Sequence, residues 1–157
     1  MIDLVIELAK AAGSKTLDIY NNGDFNITIK SDDSPLTKAD LMSNAIIIGG
    51  LRDISSYPIV TEENPVDYDI RKDWDKFWLV DPLDGTKEFI SKNNDFTVNI
   101  ALIEKGVPTL GVVYAPALNL LYWAEKDAGA FKNKGERIFN ETFHNYFTFL
   151  YRKTQLC

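Results

Sequence analysis

Asp81 and Asp84 stand three residues apart, separated by Pro82-Leu83 and followed at once by Gly85-Thr86. Pro fixes one backbone angle and Gly permits a positive one, so both carboxylates fall on a sharp turn. Before the turn, Phe77 to Val80 is an apolar run of the kind that forms a short buried strand, and the strand is expected to stop at Asp81-Pro82. After it, Thr86 to Ile90 can open a helix. Two carboxylates, a hydroxyl and the unbonded amides of a helix start therefore meet where a strand ends. That chemistry suits a cation and a phosphate held together. Taken singly, Asp-Pro and Asp-Gly are also ordinary turn punctuation.

Two further acidic positions belong with this turn. Thr37-Lys38-Ala39-Asp40 reads as a capping box, with Asp40 steadying a helix N-terminus. Glu62-Glu63 follows a short strand, Tyr57 to Thr61, and could equally be a solvated strand end. If these groups converge, two unit charges about 4 Å apart repel by roughly 4 kcal/mol at an effective dielectric near 20. Several such groups in one pocket need cations or protons. Oxygen donors without His or Cys select a hard ion, so Mg²⁺ is the expected occupant and zinc is not. The single histidine, His144, lies far along the chain and reads as a bystander.

The elements that must position these residues are legible in outline. Residues 2–21 form an amphipathic helix on Val5, Leu8, Ala12 and Ile19, widened by Ala9, Ala11 and Leu17 and ended by Asn21-Asn22-Gly23. Asn26 to Lys30 alternates as a strand, and Ser31 to Pro35 is a polar turn. A second helix opens at Thr37 and is expected to break or end near Gly49-Gly50. Val66 to Lys76 reads as a charged surface loop. Beyond the central turn, Phe96, Val98, Ile100 and Leu102, then Leu110, Val112 and Tyr114, alternate about Glu104-Lys105-Gly106 as a hairpin with one buried face. Leu120 to Ala124 adds a third strand. Helices followed by an antiparallel meander indicate an α+β fold.

Bulk properties narrow the class of function. A chain of 157 residues is the size of one domain and can bury roughly 70% of its unfolded surface. Its net charge of −6 and pI near 4.8 argue against nucleic-acid polymers as partners, while bound cations would still let it accept a phosphorylated small molecule. The lone Cys157 offers no disulfide framework, and no stretch reads as a signal peptide or membrane span, so a cytoplasmic protein is expected. Residues 133–157 change character: Phe139, Phe143, Tyr146, Phe147, Phe149 and Tyr151 crowd together between Arg137 and Arg152-Lys153. Core packing, or a chain end exposed by truncation, is the plainer reading of these aromatics, with peripheral membrane contact or a partner helix as the functional one.

Glu62-Glu63 followed by Trp78-Leu79-Val80-Asp81-Pro82-Leu83-Asp84-Gly85-Thr86 resembles the signature of the inositol-monophosphatase-like family of Mg²⁺-dependent, Li⁺-sensitive phosphatases. Lys87-Glu88-Phe89-Ile90, Ser34 to Asp40 and Phe96 to Leu102 are more similar to its 3'(2'),5'-bisphosphate nucleotidases. Gly111 to Pro116 and Gly129-Ala130-Phe131 extend the likeness, which covers residues 1 to about 132. The resemblance implies a layered helix/antiparallel-sheet phosphatase fold. It also implies roles, residue by residue. Glu62, Asp81 and the Leu83 carbonyl would bind a first Mg²⁺, and Asp81 would bridge to a second that Asp84 also holds. Gly85 and Thr86 would present amides to the phosphate, placing Glu62, Leu83, Asp84, Gly85 and Thr86 around the substrate. The Thr86 hydroxyl and Asp40 would orient and deprotonate the attacking water.

The implied reaction is hydrolysis of the 3'-phosphate of adenosine 3',5'-bisphosphate to AMP and phosphate. Members of this family are longer, and their C-terminal α/β half carries a Trp-Asp-x-Ala-Ala helix whose Asp completes the second metal site. Nothing in residues 133–157 matches it, so 1–132 reads as the metal-binding portion and 133–157 as a tail outside the family pattern. Two other readings follow: a truncated, non-catalytic fragment that binds metal or self-associates through an uncovered face, and an inositol monophosphatase.

Overall fold

The computed structural model describes residues 1–133 and 135–138. The aromatics from Phe139 onward, His144 and Cys157 lie outside the described residues. A long first helix, α1 (Ile2–Asn22), ends where Gly23 takes a left-handed φ of 72° and its amide donates to the Ile19 carbonyl. Thr28–Ile29 (β1) and Pro35–Leu36 (β2) make a small hairpin separate from the main sheet. The second helix, α2 (Lys38–Ile54), starts on the expected capping box of Thr37 and Asp40. It does not break at Gly49-Gly50. The Leu8 side chain of α1 packs over Gly50, where an added Cβ would stand 2.5 Å from Leu8 Cδ1, and the helix runs on through both glycines despite a propensity cost of about 1 kcal/mol each.

The main sheet runs β3 (Ile59–Thr61), β4 (Lys76–Asp84), β5 (Thr97–Glu104), β6 (Val107–Ala115), β7 (Leu120–Glu125), β8 (Gly129–Lys132) and β9 (Glu136–Ile138), in that spatial order. β3 pairs with β4 in parallel, and every later neighbour is antiparallel. The fold is α+β, as expected. Val5, Ala9 and Ala12 of α1 and Ile47 and Leu51 of α2 pack on Trp78, Val80, Val98, Ile100 and Val112, forming the main core. Burying each such large aliphatic or aromatic side chain contributes about 1.5–3 kcal/mol. Contrary to the one-faced hairpin expected, β5 is buried on both faces, because Ala101, Ile103, Phe77, Leu79 and Val60 form a second cluster with Val66 and Trp74 of the 62–75 segment. That segment contains a short helix, α3 (Tyr68–Arg71), and its Arg71 is 4% exposed with Nε donating to the Val66 carbonyl.

Candidate active site

The central strand does not stop at Pro82. Its pairing with β5 continues to Asp84↔Thr97, with the register shifting between Asp81 and Asp84. Pro has no amide to give a ladder, and a bulge is where a sheet tolerates one. Pro82's carbonyl instead accepts from Ser43 Oγ of α2 at 2.7 Å, and Trp78 Nε1 donates to Ser55 Oγ at 2.9 Å. α2 is thus fastened to β4 at both ends. Gly85 follows with φ 92°, and a five-residue helix, α4 (Thr86–Ile90), begins. A Cβ at Gly85 would stand 2.7 Å from the Asp95 carbonyl oxygen, so glycine is needed both for the angle and for the close approach.

Glu62 reaches the same place from β3. Thr61 is registered against Val80, and the Glu62 amide donates to the Val80 carbonyl at 3.0 Å. Glu62 therefore emerges beside Asp81, at the C-terminal ends of two parallel strands. A cleft of about 890 Å³ is lined by Glu62, Asp81, Leu83, Asp84, Gly85 and Thr86 together, and by Lys30, Glu63 and Asn99. Asp40 stands behind this wall and reaches it through Thr86.

Asp40 divides its two oxygens. Oδ2 accepts from the Thr37 amide at 2.7 Å and the Thr37 hydroxyl at 2.6 Å, which is the helix cap. Oδ1 lies 3.3 Å from Thr86 Oγ1, whose other acceptor is the Leu83 carbonyl at 3.2 Å. The capping and site readings of Asp40 thus fall on different oxygens of one carboxylate. Asp40 is 2% exposed, and burial pushes its carboxyl above the usual range against the opposing pull of the Thr37 bonds.

Two residues with no role read from the sequence also face the cleft. Lys30 Nζ bonds Glu63 Oε1 at 2.7 Å and Glu62 Oε1 at 3.3 Å. Burial works against the ammonium, but the Glu63 bond and the charge of Glu62 outweigh it and carry Lys30 above its ordinary value. Burial likewise raises Glu63, against the Lys30 bond that lowers it. Asn99, opposite Asp81 in the ladder, donates from Nδ2 toward Asp84 Oδ2 at 3.5 Å. An amide inside the run Val98, Ile100, Ala101, Leu102 was the available signal for Asn99; Lys30 had none, because only the β1–β2 hairpin carries it to the cleft.

The donor set fits Mg²⁺: carboxylates of Glu62, Asp81 and Asp84 and the carbonyl of Leu83 are hard oxygen ligands lining one cleft. Among the described residues, no three acidic side chains already form a metal-holding group, and Lys30 engages Glu62.

A profile of the inositol monophosphatase family matches residues 1–147, past residue 132, and the chain belongs to that family. Among its relatives, the chain is 48% identical over 126 residues to the 3'(2'),5'-bisphosphate nucleotidase CysQ of Salmonella typhimurium, covering 79% of this chain and 51% of that protein. It is 46% identical over 141 residues to the CysQ of Buchnera aphidicola, covering 84% and 53%. The structure of CysQ from Bacteroides thetaiotaomicron superimposes with a TM-score of 0.73 at 42% identity, over 89% of this chain and 51% of that one. The extragenic suppressor protein suhB of Bartonella henselae does so with a TM-score of 0.77 at 28% identity, over 86% and 52%. The chain spans about half the length of these relatives. Among the described residues, no helix is long and apolar enough to cross a membrane.

Proposed function

We propose that this site serves Mg²⁺-dependent hydrolysis of a phosphate monoester, with adenosine 3',5'-bisphosphate as the substrate and AMP and phosphate as products. The observation that carries the reading is the Thr86 hydroxyl, set between Asp40 Oδ1 and the Leu83 carbonyl at the wall of a cleft that Glu62, Asp81 and Asp84 also line. Glu62, Asp81 and Leu83 O would hold one Mg²⁺, and Asp81 and Asp84 a second. Bound Mg²⁺ supplies an activated water and neutralises charge on the phosphoryl oxygens.

The chain's own groups do the rest. Thr86 Oγ1 gives its proton toward Asp40 Oδ1, which leaves the hydroxyl oxygen as acceptor for a proton of the attacking water. Burial makes Asp40 a stronger base than an exposed aspartate, which suits a general base near neutral pH. The amides of Gly85 and Thr86 meet the phosphate, individually rather than through a macrodipole, since α4 is only five residues long. Water's oxygen bonds to phosphorus, the bond to the 3'-oxygen breaks, and a proton goes to that oxygen. The 48% identity with a bisphosphate nucleotidase, together with the resemblance of the Lys87-Glu88-Phe89 run to that subfamily, favours the nucleotide over an inositol phosphate. Lys30 already engages Glu62 and Glu63, which favours a second reading, a chain that binds metal too weakly for turnover.

Phosphate release from adenosine 3',5'-bisphosphate, with inositol 1-phosphate as comparator, separates these readings. Mg²⁺-dependent release that is selective for the nucleotide and lost in Thr86→Ala is the expected result. No release above a protein-free blank, with weak Mg²⁺ binding retained, would leave the second reading in its place.

A further inference from the structure

Ser43 lies within α2 and is fully buried. Serine is a poorer helix former than alanine, and a helical serine commonly turns its hydroxyl back to a carbonyl one turn earlier. Here the hydroxyl instead leaves the helix and donates to the Pro82 carbonyl of β4 at 2.7 Å. The place of that acceptor matters. Pro82 has no amide, so its carbonyl is the one backbone group by which hydrogen bonding can hold it. The β4–β5 register passes from Asp81↔Asn99 to Asp84↔Thr97, which leaves Pro82 and Leu83 without Cα partners in the ladder. The next carbonyl, that of Leu83, accepts from Thr86 Oγ1 at 3.2 Å. The two residues that join Asp81 to Asp84 are thus each tied by a side-chain hydroxyl, Ser43 from α2 and Thr86 from α4.

Resting on the Mg²⁺ reading above, we propose that Ser43 is a positioning residue of the metal site: by holding the Pro82 carbonyl on α2, it fixes the backbone that spaces Asp81 from Asp84 and carries Leu83. Ser43 acts through that backbone and does not touch the cation. Mg²⁺ demands near-ideal octahedral geometry, so a small turn of the 82–83 segment is enough to loosen its ligands. Outer partners of this kind typically change metal affinity by about 10–100-fold when removed. The second serine that fastens α2 to β4 supplies the control. Ser55 Oγ accepts from Trp78 Nε1 at 2.9 Å, a bond that lies ahead of Asp81 rather than between the ligands. Ser43→Ala and Ser55→Ala each remove one α2–β4 hydrogen bond and leave its other partner unpaired. Ser43→Cys keeps a similar shape with a weak donor. Mg²⁺ binding is measured by calorimetry, and thermal unfolding is measured in a chelator.

Both alanine variants should lower the metal-free melting temperature, but only Ser43→Ala should weaken Mg²⁺ binding, by about tenfold, with Ser43→Cys between it and wild type. A purely structural role would lower the melting temperature and spare the affinity. Mg²⁺ affinity of Ser43→Ala equal to wild type therefore overturns the proposal, as does an equal loss of affinity in Ser55→Ala, which would trace the effect to the attachment of α2 in general. Should Ser43→Ala fail to fold, Ser43→Cys against Ser55→Ala decides by the same comparison. If the wild-type chain binds no Mg²⁺, the metal reading itself fails and the role of Ser43 falls with it.

Discussion

Gly85 is the least replaceable residue of the turn that bears the carboxylates. Its φ is +92°, and an added Cβ would lie 2.7 Å from the Asp95 carbonyl oxygen and 3.3 Å from Phe96 Cα. Both near atoms are backbone, so neither can swing aside as a side chain would. Gly85→Ala then carries two costs: about 1–2 kcal/mol for an L-residue in the left-handed region, and about 1–3 kcal/mol for forcing a packed neighbour to move. Gly23 separates them. Its φ of +72° carries the first cost, but a Cβ there meets nothing within 4 Å. In a chain of 157 residues, each kcal/mol lowers the melting temperature by about 2–4 °C. Gly23→Ala should therefore lose roughly 2–8 °C and Gly85→Ala roughly 4–20 °C. Circular-dichroism melts of the two variants side by side measure the difference, and Mg²⁺ titration should show weakened binding in Gly85→Ala alone, since only that change shifts Asp84 and Thr86. Equal melting temperatures for the two variants would refute the contact with residues 95–96 as the reason for glycine at this turn.

Asp81→Asn should abolish Mg²⁺ binding detectable by calorimetry; retained affinity would remove Asp81 from the ligand set. Asp40 has a folded-state pKa raised by burial, so the folded chain holds its proton more tightly than the unfolded chain, and its contribution to stability is lost as pH rises through that raised value. The stability of Asp40→Asn relative to wild type, followed by urea unfolding, should accordingly improve from pH 3.5 toward neutrality; a relative decline would reverse the sign of the burial effect. Lys30→Met leaves Glu62 and Glu63 without their shared ammonium, which should lower the metal-free melting temperature by about 2–4 °C and enlarge the rise that Mg²⁺ produces.

The sequence made some of this fold legible because local chemistry and tertiary packing agree there. Gly23 ends α1 and Thr37 with Asp40 caps α2, as their residue types dictate. It misled where tertiary contacts override local preference. Gly49-Gly50 looks like a helix break until Leu8 is seen packed on Gly50, and Pro82 looks like a strand end until the bulge and the Ser43 hydroxyl take up its carbonyl. β8 and β9 were not legible, since four half-buried and three mostly exposed residues without strict alternation draw their order from pairing with β7 and each other. In the site, the family resemblance marks Asp40, Glu62, Asp81, Leu83, Asp84, Gly85 and Thr86 together; the structure lines one cleft with all of them but Asp40, which Thr86 joins to it. Lys30 was not, because its place depends on a two-stranded hairpin that no ladder joins to the main sheet.

That difference in attachment bears on how the cleft tolerates its acids. Asp40, Glu62, Glu63, Asp81 and Asp84 surround one region, and a single pair of charges about 4 Å apart already costs roughly 4 kcal/mol at an effective dielectric near 20. The partners that moderate this repulsion are of two kinds. Toward the interior they are neutral and built into the main elements: the Thr37 amide and hydroxyl on Asp40, at the start of a helix fastened to β4, and the Asn99 amide that strand β5 places beside Asp84. These hydrogen bonds are not charges that an entering cation must displace, so they can persist and orient the carboxylates. Toward the rim the partner is an ammonium on a small separate hairpin, and it occupies the same Glu62 oxygen-bearing group that a cation would use. The geometry thus puts uncharged hydrogen bonds behind the ligands and the Lys30 ammonium in front of them, so that weakening the neutral set should lower Mg²⁺ affinity whereas removing Lys30 should raise it.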